Sequence, residues 1–348
     1  MRCPSLNNIP PPPPGKTGWP WTEESPALPA KMDDGSPWPK ISIVTPSLNQ
    51  GQFIEETIRS VLLQGYPFLE YIIIDGGSTD ESIDIIKKYE SWPIYWVTEP
   101  DSGQPQAINK GFTRATGDIV SWLNSDDTYK PNALKAVAEI LVNNPSDLFI
   151  YGDVDFIDAD SNFLRKFGTG EFDLINDIYT NMIPQQAAFW RKAIFESIGY
   201  LDEKFQHPFD HDFFIRVGTI YKIRYVPVPL ANYRLHPSSK GEIGLGTIRF
   251  FLEYLAILDK FFQRTDIPQN VYNHKKKILS YWHERTAHKY FELASKSSAR
   301  KHFWKAITLT PLRMQNITLI ANVIDTLIGS KFGSLIQVFS KRLRKLTH

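Results

Sequence analysis

Between Lys40 and Tyr151 the apolar positions follow two alternating rhythms. Short apolar runs at Ile41, Ile43 and Val44, Tyr71 to Ile74, Ile94 to Val97, Ile119 to Leu123 and Leu148 to Tyr151 read as buried strands. Between them, apolar residues recur at helical spacing. Phe53, Ile54, Ile58, Val61 and Leu62 end at Gly65, Ile83, Ile85 and Ile86 follow, and Leu134, Val137 and Leu141 come after a helix spanning Gln106 to Arg114. Ser78 and Glu81 stand at capping-box spacing before the second of these helices. Repeated strand and helix predict βαβ units, and therefore an α/β fold: a doubly wound, mostly parallel sheet with helices on both faces.

After Tyr151 the rhythm loosens. Val154 to Phe167 predicts a hairpin turning at Asp160 and Ser161, and a Gly-rich, aromatic stretch leads to Gln185. From Thr247 onward the pattern is helical. Near the end Ile320, Val323, Ile324, Leu327, Ile328, Phe332, Leu335, Ile336 and Phe339 keep one apolar stripe, followed by Lys341, Arg342, Arg344 and Lys345. At the other end, 11 of the 25 prolines fall in the first 40 residues, and Pro10 to Pro14 predict an extended polyproline arm. Trp19, Trp21 and Trp38 are costly to leave in water, so part of this arm is expected on the folded body; a solvated leader is the alternative. The expected division is an arm over 1–39, an α/β domain over 40–240 and a basic helical C-terminal region over 241–348.

Composition narrows the classes. The 348 residues are 42% hydrophobic and 22% charged, ordinary globular usage that excludes a disordered or collagen-like chain. Cys3 is the single cysteine, which excludes an internal disulfide and a cysteine zinc site. The net charge of +1 gives no whole-chain field to recruit nucleic acid, but it conceals a split. From Lys240 to His348 there are 19 basic against 7 acidic residues, and the remainder holds 20 against 31. A basic amphipathic tail of this kind lies on anionic membrane, or else packs its stripe on its own helices. The start lacks an apolar signal core, and no long uncharged apolar run occurs. A cytoplasmic protein is expected, with peripheral contact at the inner face of the membrane through the basic helices.

In a doubly wound sheet ligands bind beyond the carboxyl ends of the strands. Each early strand here runs into polar residues: Thr45, Pro46, Ser47 and Asn49; Asp75, Gly76, Gly77 and Ser78; Glu99 and Asp101; Asn124, Ser125, Asp126 and Asp127. Neither G-x-G-x-x-G nor G-x-x-x-x-G-K-S/T occurs, so any phosphate must be neutralised otherwise. Asp126 and Asp127 suit a hard divalent cation that takes its remaining ligands from phosphate and water. Taken alone, N-S-D-D also makes an ordinary turn.

Three segments in order, ISIVTPSLNQGQFIEETIRSVLLQ, YIIIDGGSTDES and EPDSGQPQAINKGFTRATGDIVSWLNSDD, resemble the family 2 glycosyltransferases of the GT-A fold. The resemblance continues through IPQQAAFWRKAIFESIGYLDEKF, PFDHDFFIRVG and NYRLHPSS and covers residues 40–240. It implies an inverting, metal-dependent transfer of one sugar from a nucleotide-diphosphate sugar, expected to be UDP-linked, to a glycan or lipid-linked acceptor in cell-surface polysaccharide or glycoconjugate synthesis. It places Thr45, Pro46, Ser47 and Asn49 along the nucleotide pocket, with Ser78, Gln104 and Asn109 also on the donor side, and Asp75 on the base. Asn124, Ser125 and Asp126 occupy the D-x-D motif, with Asn124 and Ser125 at the donor and Asp126 as ligand to Mn²⁺ or Mg²⁺. His236 of Y-R-x-H matches a residue that completes the metal or diphosphate site.

Asp210 falls at the position of the family's catalytic base, where Phe209 replaces the usual acidic neighbour, and this leaves Asp212 as the alternative. In such a transfer a carboxylate takes the acceptor proton as its oxygen attacks the anomeric carbon. Asp210 also fits a plain helix cap, and Gln185 and Gln186 either pair backbone groups or face the acceptor. The Q-x-x-R-W motif of processive synthases is missing, since Gln186 to Arg191 reads QAAFWR, so single addition is expected. Two other classes remain as alternatives: a non-catalytic sugar-nucleotide or glycan binding module, and a nucleotidyltransferase. The second would want a basic loop after the first strand, and TPSLNQGQF has no Lys or Arg.

Overall fold

The computed structural model describes residues 2–92, 94–237, 239, 246–311 and 326, and the chain divides into two compact units, Met1–Ser239 and Lys240–His348. The first is built on a mixed sheet whose strands are β1 (Ile41–Ser47), β2 (Leu69–Asp75), β3 (Ile94–Thr98), β4 (Ile119–Trp122), β5 (Thr128–Tyr129), β6 (Phe149–Ile157), β7 (Phe163–Phe167), β8 (Ala188–Arg191) and β9 (Ile223–Arg234). Their order is β3-β2-β1-β4-β8-β6-β9-β5, with β7 paired to β6. The first four strands in this order are parallel, as the βαβ rhythm requires, and the helices between them are α1 (Ile54–Leu62), α2 (Ser82–Lys88) and α3 (Gln104–Arg114). Register sets Ser47 beside Asp75 and Val44 beside Trp122, so the polar strand ends line up on one edge.

Beyond β4 the sheet becomes mixed. β8 runs antiparallel between β4 and β6, while β6 and β9 are parallel. Helix α4 (Ala133–Asn143) leads into β6, in which Leu148 to Tyr151 and the first arm of the expected hairpin merge into one strand. Gly152 permits this, because a Cβ there would stand 2.5 Å from the Val228 carbonyl of the neighbouring β9. The hairpin turns at Ser161, whose φ is 69°. Strand β7 is exposed along most of its length, with Phe163 and Leu164 in solvent.

Two local readings change. Helix α2 starts at Ser82, and Ser78 does not cap it: its hydroxyl donates to Asp75 at 2.5 Å and accepts the Asn49 N–H at 2.8 Å. The stretch before Gln185 contains a helix, α5 (Leu174–Thr180), capped by Asp173, which accepts the Asn176 N–H at 2.7 Å. Two further helices complete the unit, α6 (Ile194–Ile198) and α7 (Phe209–Ile220). Trp122, Trp190, Phe149 and Phe214 pack behind the end of β4, with Trp190 stacked on Phe149 at 5.4 Å.

The proline-rich arm lies on this unit. Ile9, Trp21, Leu28 and Trp38 are buried, and Trp19 Nε1 donates to the Tyr129 carbonyl at 2.8 Å. Arg59 of α1 is fully buried and binds three arm carbonyls, those of Pro10, Pro20 and Trp21.

The second unit contains helices Ile248–Phe261, Gln269–Asn273, Lys275–Glu292 and Lys296–Leu309. Ala287, Ala299, Phe303 and Ile307 form a small core between the last two, beside which the His283 and His302 rings meet Nδ1 to Nδ1 at 3.0 Å. The expected apolar stripe from Ile320 to Phe339 lies outside the described residues, Thr326 apart. Among those described, no helix is long and apolar enough to cross a membrane.

Candidate active site

The loops after β1 and β2 are zipped together. Asp75, fully buried, accepts hydrogen bonds from the N–H groups of Gly77 and Ser78, from the Ser78 hydroxyl and from the Thr98 hydroxyl. Asn49 adopts φ 52°, a left-handed conformation that asparagine tolerates, and its side-chain Oδ1 accepts the Thr79 N–H at 2.8 Å. Ser47 ends β1 with its hydroxyl buried and without a hydrogen-bond partner among the described residues. Thr45 is enclosed in the sheet, its hydroxyl 3.0 Å from that of Tyr71, and Pro46 is buried beside Ile74.

The loop after β4 is held by amides. Gln104 Nε2 donates to Asn124 Oδ1 at 2.7 Å, and Asn124 Nδ2 donates to Asp127 at 3.1 Å and to Gln185 at 3.2 Å. Gln185 Nε2 in turn donates to the Trp122 carbonyl at 2.6 Å, and Gln186 Nε2 donates to Asp127 at 3.0 Å. Both glutamines therefore bond groups inside the fold. The Thr57 hydroxyl makes a bifurcated contact with the carbonyls of Ser125 and Asp127. Burial, with the Asp126 carboxylate beside it, raises the Asp127 carboxyl well above the usual carboxylate range.

Asp126 faces the other way. Its carboxylate accepts from His236 Nε2 at 3.0 Å, and Phe53 packs on that imidazole with ring centroids 4.5 Å apart. Arg234, two residues before His236, is fully buried and ties the loop together. Its backbone N–H donates to Asp127 at 2.9 Å, its Nε to the Asp126 carbonyl at 2.7 Å and its Nη2 to Glu56 at 3.0 Å. The sequence reading did not single out Arg234 or Glu56. The available signal was a cation in Y-R-x-H and an acid on a largely buried helix face.

Asp210 lies in the first turn of α7, partly exposed, and accepts the His211 N–H at 2.8 Å. Asp212 is buried and committed to Arg216 at 2.9 Å, whose other nitrogens donate to the carbonyls of Ile198 and Tyr200. Asn109 spends both ends of its amide on the loop before α7, on Leu201 and Glu203.

The sequence model described as "Glycosyl transferase family 2" matches residues 42–214. The "PGL/p-HBAD biosynthesis glycosyltransferase" of Mycobacterium bovis (strain BCG / Pasteur 1173P2) is 34% identical over 204 residues, covering 56% of this chain and 77% of the relative. The chain is a family 2 glycosyltransferase. Solved structures of this glycosyltransferase's fold include S. aureus TarS 1–349 in complex with UDP-GlcNAc, at TM-score 0.65 and 18% identity over 87% of this chain and 92% of that one. Another is the mannosyltransferase PcManGT from Pyrobaculum calidifontis in complex with GDP-Man and Mn²⁺, at TM-score 0.55 and 16% identity, covering 85% of this chain and 92% of that one. The glycosyltransferase thus has the GT-A fold with a helical extension.

Proposed function

We propose that this glycosyltransferase moves a single sugar, with inversion, from a nucleotide-diphosphate sugar to a hydroxyl of a glycan or lipid-linked acceptor, using a divalent cation. The observation that carries the reading is the pair Asp126 and His236, a carboxylate oxygen and an imidazole nitrogen converging at 3.0 Å. These two donors fit a cation such as Mn²⁺ or Mg²⁺ that leaves its other positions to phosphate oxygens and water. When bound, the cation offsets the charge that develops on the leaving diphosphate. Among the described residues no three His, Cys, Asp or Glu side chains converge, so the chain offers a pair and not a closed cage.

The buried, unpartnered hydroxyl of Ser47 supports a donor beside β1, since groups of this kind in native folds mark absent ligands or water. Asn49, Asp75, Ser78, Gln104, Asn124 and Ser125 frame that side, whereas Thr45, Pro46 and Asn109 serve as framework. Asp210 is the base: it takes the acceptor proton as the hydroxyl oxygen bonds to the anomeric carbon, and the bond to the diphosphate breaks. The engagement of Asp212 with Arg216 supports this choice over Asp212. UDP-GlcNAc bound to TarS supports a UDP-sugar donor. The biosynthetic role named for the mycobacterial relative, together with the basic tail, supports an acceptor made or held at a membrane surface.

Calorimetric titration with a panel of nucleotide sugars, with and without Mn²⁺, tests this reading. One donor is expected to bind in a cation-dependent way, with binding lost in Asp126→Ala and kept in Asp210→Asn. Cation-independent binding by the wild-type chain would overturn the metal assignment.

A further inference from the structure

We propose that Asn124 is a positioning residue required for the polarity of its amide: it fixes the shape of the Asp126 and Asp127 loop, and the aspartate that would restore D-x-D is the wrong residue there. This rests on reading the loop as part of the nucleotide-sugar site.

The polarity is set from a backbone group. The Trp122 carbonyl can only accept, so the amide nitrogen of Gln185 must face it, as it does at 2.6 Å. That turns the Gln185 carbonyl toward Asn124, and the group facing it at 3.2 Å must donate. Asp127 imposes the same demand independently. One of its oxygens accepts the Arg234 N–H, and the other accepts from Gln186 and from Asn124 at 3.1 Å. On the opposite side Gln104 donates to the Asn124 carbonyl at 2.7 Å. Asparagine meets all three demands at once.

An aspartate keeps only the Gln104 bond. Its second oxygen would face the Gln185 carbonyl, acceptor against acceptor, and would set a second acid against Asp127 in place of the amide donor. Turning Gln185 over relieves one conflict and sets its carbonyl against that of Trp122. The departure from D-x-D is thus matched by its neighbours. A residue needed only for the turn would behave differently, because Asn and Asp serve turns alike.

The test compares the full-length wild type with Asn124→Asp, Asp127→Asn and the transposed pair Asn124→Asp/Asp127→Asn. Melting temperature is measured for each, and kcat and KM with the donor that the wild type uses. Asn124→Asp is expected to melt roughly 3 to 8 °C lower and to lose about 10- to 100-fold in kcat/KM, the effect of a lost hydrogen bond to a charged group. The transposed pair restores a donor at position 127 opposite the acid at 124, and Gln186 turned over presents its carbonyl to that same amide nitrogen, so the pair is expected to melt higher and react several-fold faster than Asn124→Asp. Wild-type melting and kcat/KM in Asn124→Asp overturn the proposal, and so does a pair whose losses are simply additive. A wild type that binds and turns over no nucleotide sugar overturns the functional reading instead, and the four melting temperatures then still decide the amide lock.

Discussion

Arg234 and Glu56, 178 residues apart in the chain, meet as an enclosed ion pair 3.0 Å long, with side-chain exposures of 0% and 8%. The pair joins β9 to α1, and the same arginine grips the backbone of Asp126. Glu56→Ala would strand a buried guanidinium, at a cost on the order of 3–5 kcal/mol. Replacing both residues with apolar side chains should recover little of that loss, because the Asp126, Asp158 and Ala159 carbonyls then lose their donor. Urea unfolding of the full chain measures both, and a Glu56→Ala variant as stable as the wild type would remove this pair from the account.

Asp210 and Asp212 should separate chemistry from stability. Asp210→Asn should keep melting temperature and donor affinity while kcat falls about 10²- to 10⁴-fold. Asp212→Asn should instead lower the melting temperature, because Arg216 loses its buried partner. Single-turnover rates set beside melting curves make the comparison, and the opposite pattern would transfer the base to Asp212.

The second unit should be acid-labile. Burial lowers the pKa of His283, aided by His302 and Lys305, and burial with Lys305 and Lys301 lowers that of His302, both to about 4 from an ordinary 6.5. Between those values the unfolded chain holds protons that the folded chain does not, so stability is lost as pH falls from 6.5 toward 4. Helical circular dichroism during thermal melts at stepped pH checks this. His283→Phe should flatten the dependence.

Removing the arm should unfold the first unit. A chain without residues 1–39 loses the buried Ile9, Trp21, Leu28 and Trp38 and the carbonyls that satisfy Arg59. The apolar burial alone is worth about 5 kcal/mol or more. Soluble expression and near-UV circular dichroism of the truncated chain report the result, and a native spectrum would show the arm to be dispensable.

The parallel block was legible because β1, β2 and β4 are buried on both faces, β3 keeps an apolar run at the sheet edge, and each strand ends in a polar cluster; period and punctuation agree there. The capping box at Ser78 was misread because a hydroxyl can serve only so many partners, and Asp75 and Asn49 take this one. Helix α5 was missed under flanking glycines and aromatics, although Asp173 offered a cap signal. The engagement of Asp212 was legible: Asp212 and Arg216 stand four residues apart, the spacing of an intrahelical ion pair. The Arg234 and Glu56 bond was not, since nothing local couples residues so far apart. Asn109 looked like a donor ligand because its segment matches the family, but its amide is used up by Leu201 and Glu203.

Strand β7, paired with β6 and otherwise exposed, bears on how the protein behaves in concentrated solution. An edge that shows Phe163 and Leu164 invites a second molecule to add its own strand, and Arg165 and Lys166 beside them are the charges that discourage it. That protection is electrostatic and shortens with the screening length, from about 10 Å at 0.1 M salt to about 3 Å at 1 M. Salt added to keep the basic tail off polyanions therefore weakens the guard on the sheet edge, and the tail and the strand favour opposite buffers.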